Sequence, residues 1–314
     1  KKVGNKALLY GAIAGTIPDL DVIARYFVDT VTATEWHRGF SHSILFSVLF
    51  APLFGWLVWK LHRKAEATWK DWSWLFFWGL FTHPILDAFT TWGTQLFWPS
   101  ETKLAFQSIF VIDPLYTLPF LFLVVLVLFQ KRTALKRKRF NRLGLIISSS
   151  YLVLTLVLKG ISYKAFTNSL KVQDFVYNDI SVRPSPFNTI LWTANIDTDD
   201  AYLIGNYSFF DTQEIHFESY PKNHERLGAL LETDKIERLI AISEGWYTIT
   251  EKEDVLYFND LRFGLMSLDP KESKFAFSYE LDTTTPELKV KETPKFREDA
   301  NKLISLLWTR IWGN

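Results

Sequence analysis

Five apolar runs, divided by short polar linkers, fill the first half of the chain, and an ordinary mixed pattern fills the second. Ala7 to Phe27 is apolar but interrupted by Pro18, Asp19, Asp21 and Arg25. Ile44 to Trp59 carries no charge and stops at Lys60, Leu61, His62, Arg63 and Lys64. Trp72 to Trp92 is rich in aromatics, with His83 and Asp87 as its strongly polar members. Ile109 to Phe129 is almost wholly apolar, broken by Asp113, Pro114 and Pro119. Leu143 to Leu158 is a shorter run with three consecutive serines. A helix crossing a bilayer needs ~20 apolar residues, so the pattern predicts about five spans, the first and last being the most compromised.

From about Ala165 the pattern changes to that of a soluble domain. Asn188 to Ile196 and Ala201 to Phe210 are β-rich, and the turn-rich connection Asp197-Thr198-Asp199-Asp200 predicts a hairpin. A further extended stretch covers Thr212 to Ser219. Leu227, Leu230, Leu231 and Ile236 to Leu239 recur at helical spacing and predict an amphipathic helix over Asn223 to Ile242. Strands are expected at Trp246 to Thr250, Asp254 to Phe258 and Lys274 to Leu281. A terminal helix is expected over Phe296 to Trp312, docked on the domain or resting on the bilayer. The predicted architecture is an α-helical polytopic membrane domain, residues 1–163, followed by a soluble α+β domain, residues 164–314.

Composition supports that division. Of 314 residues, 48% are hydrophobic and 17% aromatic, with 13 Trp and 27 Phe against 22% charged, which is unusual for a soluble enzyme. The net charge of +1 argues against a nucleic-acid partner held by bulk electrostatics. There is no cysteine, so disulfides and thiolate metal sites are excluded. The chain begins at Lys1 without a methionine, which leaves room for an upstream segment such as a further apolar helix or a signal anchor. Seven Lys or Arg and no acid lie between Lys131 and Arg142. The linker from Lys60 to Lys70 is also basic, and Lys1, Lys2 and Lys6 precede the first run. The linkers around Asp29 to Glu35 and Pro99 to Lys103 lack such an excess. By the positive-inside rule the basic linkers are cytoplasmic, which predicts that the C-terminal domain is extracytoplasmic.

That orientation gives the polar residues inside the apolar runs a common side. Asp19, Asp21, His37, His42, His83, Asp87 and Asp113 all fall near the outer end of their runs. A carboxylate at a helix centre in the bilayer costs at least ~2.5 kcal/mol, so such groups are there for pairing, for an ion path or for a site. His83 and Asp87, four apart, share one face of a helix. Asp19 and Asp21, two apart, do not. Both can meet one metal only through irregular backbone, and two metals, or one ligand and one outer partner, are the alternatives. Imidazole and carboxylate ligands without thiolate suit Zn²⁺, Mn²⁺ or Fe²⁺. Each residue alone has an ordinary explanation: His83 as a packed histidine, Asp19 and Asp113 as helix caps, Arg38 as the partner of Asp19 or Glu35. Ser41 or Ser43 is expected to cap the second helix or to orient a ligand. His62, His216 and His224 lie away from the cluster and are expected to face solvent.

The motifs also carry a resemblance. His37-Arg38-Gly39-Phe40-Ser41-His42-Ser43 resembles the H-R-G-x-[ST]-H-S signature of the YdjM-like family of membrane-bound metal-dependent hydrolases. Ile17-Pro18-Asp19-Leu20-Asp21 is similar to its P-D-x-D group. His83-Pro84-Ile85-Leu86-Asp87, with Thr91-Trp92-Gly93 and Trp98-Pro99 after it, is similar to its H-x-x-x-D, WG and WP block. Ile112-Asp113-Pro114-Leu115-Tyr116 resembles a segment of longer members with a C-terminal domain. The resemblance covers roughly residues 1–130. It implies a metal hydrolase of the bacterial inner membrane, in a family some of whose members are described as binding the LexA repressor. The motifs are similar, more distantly, to those of zinc-dependent phospholipase C enzymes.

The expectation is therefore a multi-pass inner-membrane hydrolase, its metal, zinc before Mn²⁺ or Fe²⁺, held by some of Asp19, Asp21, His37, His42, His83 and Asp87. Asp21, His42 and Arg38 are the expected catalytic groups, with Arg38 also steadying an anionic head group. The expected substrate is an ester or phosphoester of a lipid or lipid-linked molecule in the outer leaflet, and the expected partners are membrane lipids. Two other classes use the same features: a proton- or ion-coupled transporter, and a scaffold whose external domain binds a partner.

Overall fold

The computed structural model describes residues 3–266, 274–285, 287–295 and 297–314. Lys1 and Lys2 of the basic N-terminal group and Phe296 of the expected terminal helix lie outside the described residues. The chain forms two compact units: one holds the chain up to Phe27 and Trp36–Leu156, the other Val28–Glu35 and Val157–Asn314.

In the first stretch, α1 (Lys6–Thr16) leads into a 3₁₀ helix, Pro18–Tyr26, across a bend of 45°. Pro18 causes the break, because its ring bars an α-helical continuation from the residues before it, while its fixed φ suits a first helical position. After α2 (Thr30–Trp36) and a 3₁₀ turn, Phe40–His42, come α3 (Ile44–Leu61), α4 (Trp69–Ala88), α5 (Pro114–Leu128) and α6 (Leu135–Val172). Ser43, not Ser41, caps α3, accepting the Phe46 N–H at 3.0 Å. Thr68 and Asp71 form a capping box at the start of α4. The core of this unit is the α3–α4 pair, where Phe46, Ala51, Val58, Trp72, Phe76 and Leu80 pack with Ala14 of α1. Glycine is required where those helices meet: a Cβ on Gly55 would fall 2.4 Å from the backbone nitrogen of Ser73. Close approach at small residues is how helices pack in lipid, where burial of apolar surface gives no driving force.

The expected five spans are corrected to two, α3 and α6, or three if α1 and the bent 3₁₀ helix after it form one span. The 15 residues of α5 reach about 22 Å, short of a hydrocarbon core of about 30 Å. The 20 residues of α4 are long enough, but Lys70, Asp71, His83 and Asp87 dilute their apolar character. The expected fifth run is the middle of a 38-residue helix, and the division between the units, at Leu156 and Val157, falls inside it.

The second unit is built on two antiparallel meanders. β1 (Asp179–Pro184), β2 (Leu191–Asp197), β3 (Ala201–Ser208) and β4 (Phe217–Pro221) pair in sequence order, as do β5 (Tyr247–Lys252), β6 (Val255–Leu265), β7 (Phe275–Asp282) and β8 (Lys289–Glu292). The β2–β3 hairpin turns at the expected place, with Asp197 opposite Tyr202. Phe166 and Leu170 of α6 pack with Trp192, Ala194 and Ile196 of β2. Tyr202, Ile204 and Tyr220 pack with Leu261 and Phe275 of the second sheet. The Asn195 amide donates to the Leu261 carbonyl at 2.7 Å and ties the sheets together.

The single amphipathic helix expected over Asn223 to Ile242 is split. A 3₁₀ helix, His224–Glu232, contains Gly228 at φ 48, and α7 (Asp234–Ile242) follows. The terminal helix α8 (Arg297–Ile311) docks on the domain, with Leu303, Leu307 and Ile311 against Leu191. Most of α2 also belongs here: Arg238 of α7 pairs with Glu35 and donates to Thr32 Oγ1 at 2.9 Å.

Candidate metal centre

Four side chains from three elements of the first unit converge. Asp19 comes from the 3₁₀ helix that Pro18 opens, His42 from the end of the Phe40–His42 turn, and His83 and Asp87 from one face of α4. One ligand atom from each lies within 4.8 Å of the other three. His42 Nε2 is 3.3 Å from Asp19 Oδ1 and 3.2 Å from Asp87 Oδ2. His83 Nε2 is 3.3 Å from the same two oxygens. Ligands about 2.0 to 2.1 Å from a tetrahedral metal stand about 3.3 to 3.4 Å apart, so these separations match four of the six edges of such a site, and the other two lie within 4.8 Å.

The donors also fit a cation chemically. His42 Nε2, His83 Nε2 and Asp87 Oδ2 are buried and have no hydrogen-bond partner among the described residues. Leaving such atoms unsatisfied costs ~1–3 kcal/mol each, and three orphans aimed at one point call for a polar occupant. Asp19 is the open side, with a side chain 47% exposed. The cluster can accept a cation; because four protein donors fill a tetrahedral shell, a coordinated water would enter as a fifth ligand from the open Asp19 side. The donor set does not identify the metal.

Asp21 and His37 stand one layer outside. In a 3₁₀ helix, with three residues per turn, positions two apart point in different directions. Asp19 therefore faces the cluster while Asp21 turns to the His37–Ser43 segment. Asp21 Oδ1 is 2.9 Å from His37 Nδ1. Asp21 Oδ2 accepts the Arg38 N–H at 2.9 Å and the Ser41 hydroxyl at 3.0 Å, and lies 3.3 Å from His42 Nδ1. A carboxylate on Nδ1 fixes the ring so that Nε2 faces the centre and is more basic, as in carboxylate–histidine–metal triads. Of the alternatives for Asp19 and Asp21, this geometry is compatible with a candidate ligand, Asp19, and an outer partner, Asp21.

Arg38 pairs with neither Asp19 nor Glu35. Its guanidinium lies 3.2 Å from Asp87 Oδ1 and donates to Thr90 Oγ1 at 2.7 Å. Asp87 is thereby held through one oxygen while the other faces the histidines. Arg38 has φ 61, in the left-handed region that disfavours a non-glycine residue. Both of its backbone ends are pinned, the N–H by Asp21 and the carbonyl by the Gln95 N–H at 3.0 Å.

The segment after α4 clamps this turn, a role the sequence pattern did not reveal. Thr94 Oγ1 donates to the His42 carbonyl at 3.3 Å, Trp92 Nε1 to the His37 carbonyl at 3.4 Å, and the Leu96 carbonyl accepts the Ile44 N–H at 3.0 Å. Thr90 and Thr94, both buried, are the residues supporting the candidate centre that the sequence pattern did not single out. Their only signal was nearness to the Trp92-Gly93 pair.

Asp113 is apart from the cluster. It caps α5, accepting the Leu115 N–H at 2.8 Å, and takes a bond from the Tyr151 hydroxyl at 2.9 Å. Of the remaining histidines, His216 is exposed. His62 and His224 are not simply solvent-facing: His62 stacks on Trp72 and His224 on Tyr247.

Helices able to span a bilayer, with a cluster of two histidines and two carboxylates at the mouth of one of them, define a membrane protein with a candidate metal centre. The family model of the YdjM inner membrane protein matches residues 1–162, more than half of the chain and the whole of this cluster, and the chain belongs to that family. No curated protein and no solved structure matches it, so the distant likeness to zinc-dependent phospholipase C enzymes has no counterpart in these comparisons.

Proposed function

We propose that this protein is a metal-dependent hydrolase that cleaves an ester or phosphoester of a lipid or lipid-linked substrate at the outer face of the inner membrane. The observation that carries the reading is the set of three buried, unpartnered donors of His42, His83 and Asp87 aimed, with Asp19, at one point. A divalent ion held there, zinc before Mn²⁺ or Fe²⁺, supplies Lewis-acid polarisation of a phosphoryl or carbonyl oxygen and lowers the pKa of a coordinated water.

The chain's own residues do the rest. Asp19, His42, His83 and Asp87 hold the ion. Asp21 keeps the His42 ring in the ligating orientation and, with His37, forms a carboxylate–imidazole pair beside the centre, the two imidazole centroids being 6.2 Å apart. In this reading His37, 27% exposed, would take a proton from an attacking water and return it to the leaving oxygen. Arg38 holds Asp87 in place and offsets the carboxylate charge that an anionic head group would meet. The proposed topology is multi-pass, with the basic linkers cytoplasmic and the second unit extracytoplasmic. The ionisable residues converge on one point instead of lining a path across the membrane, which supports a hydrolase over an ion-coupled transporter.

The test is elemental analysis of the purified full chain and of its His42→Ala and Asp87→Ala variants, followed by hydrolysis of chromogenic phosphoesters and carboxylic esters in mixed micelles. The expected result is stoichiometric metal in the wild type, loss of metal in both variants, and metal-dependent turnover. Metal content unchanged in both variants would sink the proposal.

A further inference from the structure

The first unit carries a second polar feature, at the other end of α3 from the candidate metal centre. The 18 residues of α3 place its two ends about 27 Å apart. At the Leu61 end, a cleft of about 670 Å³ is lined by Lys6, Lys60, Arg63, Lys64 and Arg132 with a single acid, Glu66. It continues into a smaller recess that shares Lys6 and Arg132 and adds Lys131. Among the described residues none of these cations is ion-paired with a carboxylate.

The cleft is built by the chain, not merely charged. Asn5 donates to the Leu128 carbonyl and accepts from Arg137, which also caps the Val127 and Gln130 carbonyls at the end of α5. These bonds hold the start of α1 against the end of α5 and bring Lys6 to Arg132. Gly4, at φ +61, lets the Arg132 guanidinium lie on the backbone, in space that a Cβ would occupy. His62 bonds the Tyr10 hydroxyl at 2.9 Å, with Lys6 Nζ 3.3 Å from its other ring nitrogen.

The surroundings identify the ligand. Lys60 lies 3.8 Å from the Trp56 ring and Arg63 5.5 Å from the Trp59 ring, both at the end of a helix long and apolar enough to span a bilayer. Indoles at a span's end, with cation stems laid along them, mark head-group depth. A phosphate at that depth belongs to a lipid, and an excess of unpaired cations selects an anionic lipid over a zwitterionic one. From this we propose that the cleft binds the phosphate head group of an anionic phospholipid, best one with two phosphates, independently of any chemistry at the His42 cluster.

The experiment titrates the full chain in neutral detergent with cardiolipin, phosphatidylglycerol or phosphatidylethanolamine in mixed micelles, with inorganic phosphate as the free source, and reads affinity by thermophoresis. Cardiolipin is expected to bind tightest and phosphatidylethanolamine weakest. A Lys60→Gln/Arg63→Gln/Arg132→Gln variant is expected to lose on the order of 100-fold in cardiolipin affinity. A Lys136→Gln/Lys138→Gln/Arg139→Gln variant, altered on the same basic linker but outside the cleft, is expected to change little. Equal losses in the two triple variants would reduce the effect to general surface charge and overturn the proposal. So would inorganic phosphate binding as tightly as cardiolipin, or the absence of any preference for anionic lipid. Should the triple variant fail to fold, Lys60→Gln and Arg132→Gln are read singly, each expected to cost about fivefold.

Discussion

Replacing Asp21 by Asn tests the layering of the candidate metal centre, because it removes a charge without changing shape. In the wild type Asp21 Oδ1 faces His37 Nδ1 at 2.9 Å, and Oδ2 accepts the Arg38 N–H and the Ser41 hydroxyl and sits 3.3 Å from His42 Nδ1. An asparagine has one carbonyl oxygen for these two places. With the oxygen kept at the Arg38 N–H, its NH₂ points at His37 and removes the carboxylate partner of that ring. The His42 ring then loses the negative charge that makes its Nε2 a strong donor. Loss of an outer partner of this kind weakens metal affinity by 10- to 100-fold, about 1.4 to 2.7 kcal/mol. Asp19→Asn removes a direct ligand and should cost considerably more. Competition with a chromogenic zinc chelator, on the full chain in detergent, reads both. An affinity of Asp21→Asn equal to that of the wild type, or a loss as large as that of Asp19→Asn, would refute the assignment of Asp19 to the centre and Asp21 to the layer outside it.

Three further outcomes follow from the fold. Gly55→Val forces side-chain atoms into the space beside the Ser73 nitrogen; it should cost about 1–3 kcal/mol, seen as a smaller folded fraction in detergent titration, and an unchanged fraction would contradict the α3–α4 contact. Trp192→Ala empties a fully buried site in the second unit and should cost about 3–5 kcal/mol, with added protease sensitivity confined to that unit, Val28–Glu35 and the residues from Val157 on. Asp29 caps α2 through Val31, Thr32 and the Thr32 hydroxyl, so Asp29→Ala should cost about 1 kcal/mol. Burial works against its charge, but those donors prevail and hold the Asp29 pKa below the usual carboxylate range. The cap is therefore fully present above the ordinary carboxylate pKa of about 3.9. It is lost as pH falls through the lowered value, and thermal melts of Asp29→Ala should lose that acid-range component.

The convergence of Asp19, His42, His83 and Asp87 was legible because polar groups in apolar surroundings stand out, and because an i, i+4 pair fixes its own face. The order of the layers was not. Whether Asp21 or Asp19 faces the centre depends on the 3₁₀ winding after Pro18, which no hydrophobic period announces. The partner of Arg38 was hidden for a related reason, since Asp87 and Thr90 reach it only through the packing of α4 against the turn. The spans were overcounted where aromatic richness in α4 and unbroken hydrophobicity in α5 outweighed polar content and length. Of the 38 residues of α6 only the run from Leu143 to Leu158 stood out, because Lys159 and Lys164 interrupt the apolar pattern without interrupting the helix. In the second unit the β2–β3 turn was readable from its Asp-rich connection, whereas β1 and β8 are short strands placed by their neighbours.

Because Val28–Glu35 is counted with residues after Val157, the second unit is discontinuous in the gene. A fragment starting at 157 or 164 has every strand but lacks the helix to which Arg238 is bonded through Glu35 and Thr32. Such a piece would leave Arg238 with Asp234 of its own helix as its remaining acidic partner and a bare patch on α7, and a failure to fold or bind would say nothing about the intact domain. During synthesis the order is fixed as well: Thr32 and Glu35 are made some two hundred residues before Arg238, so this helix must wait for that partner until every candidate span, the last ending at Val172, has been made.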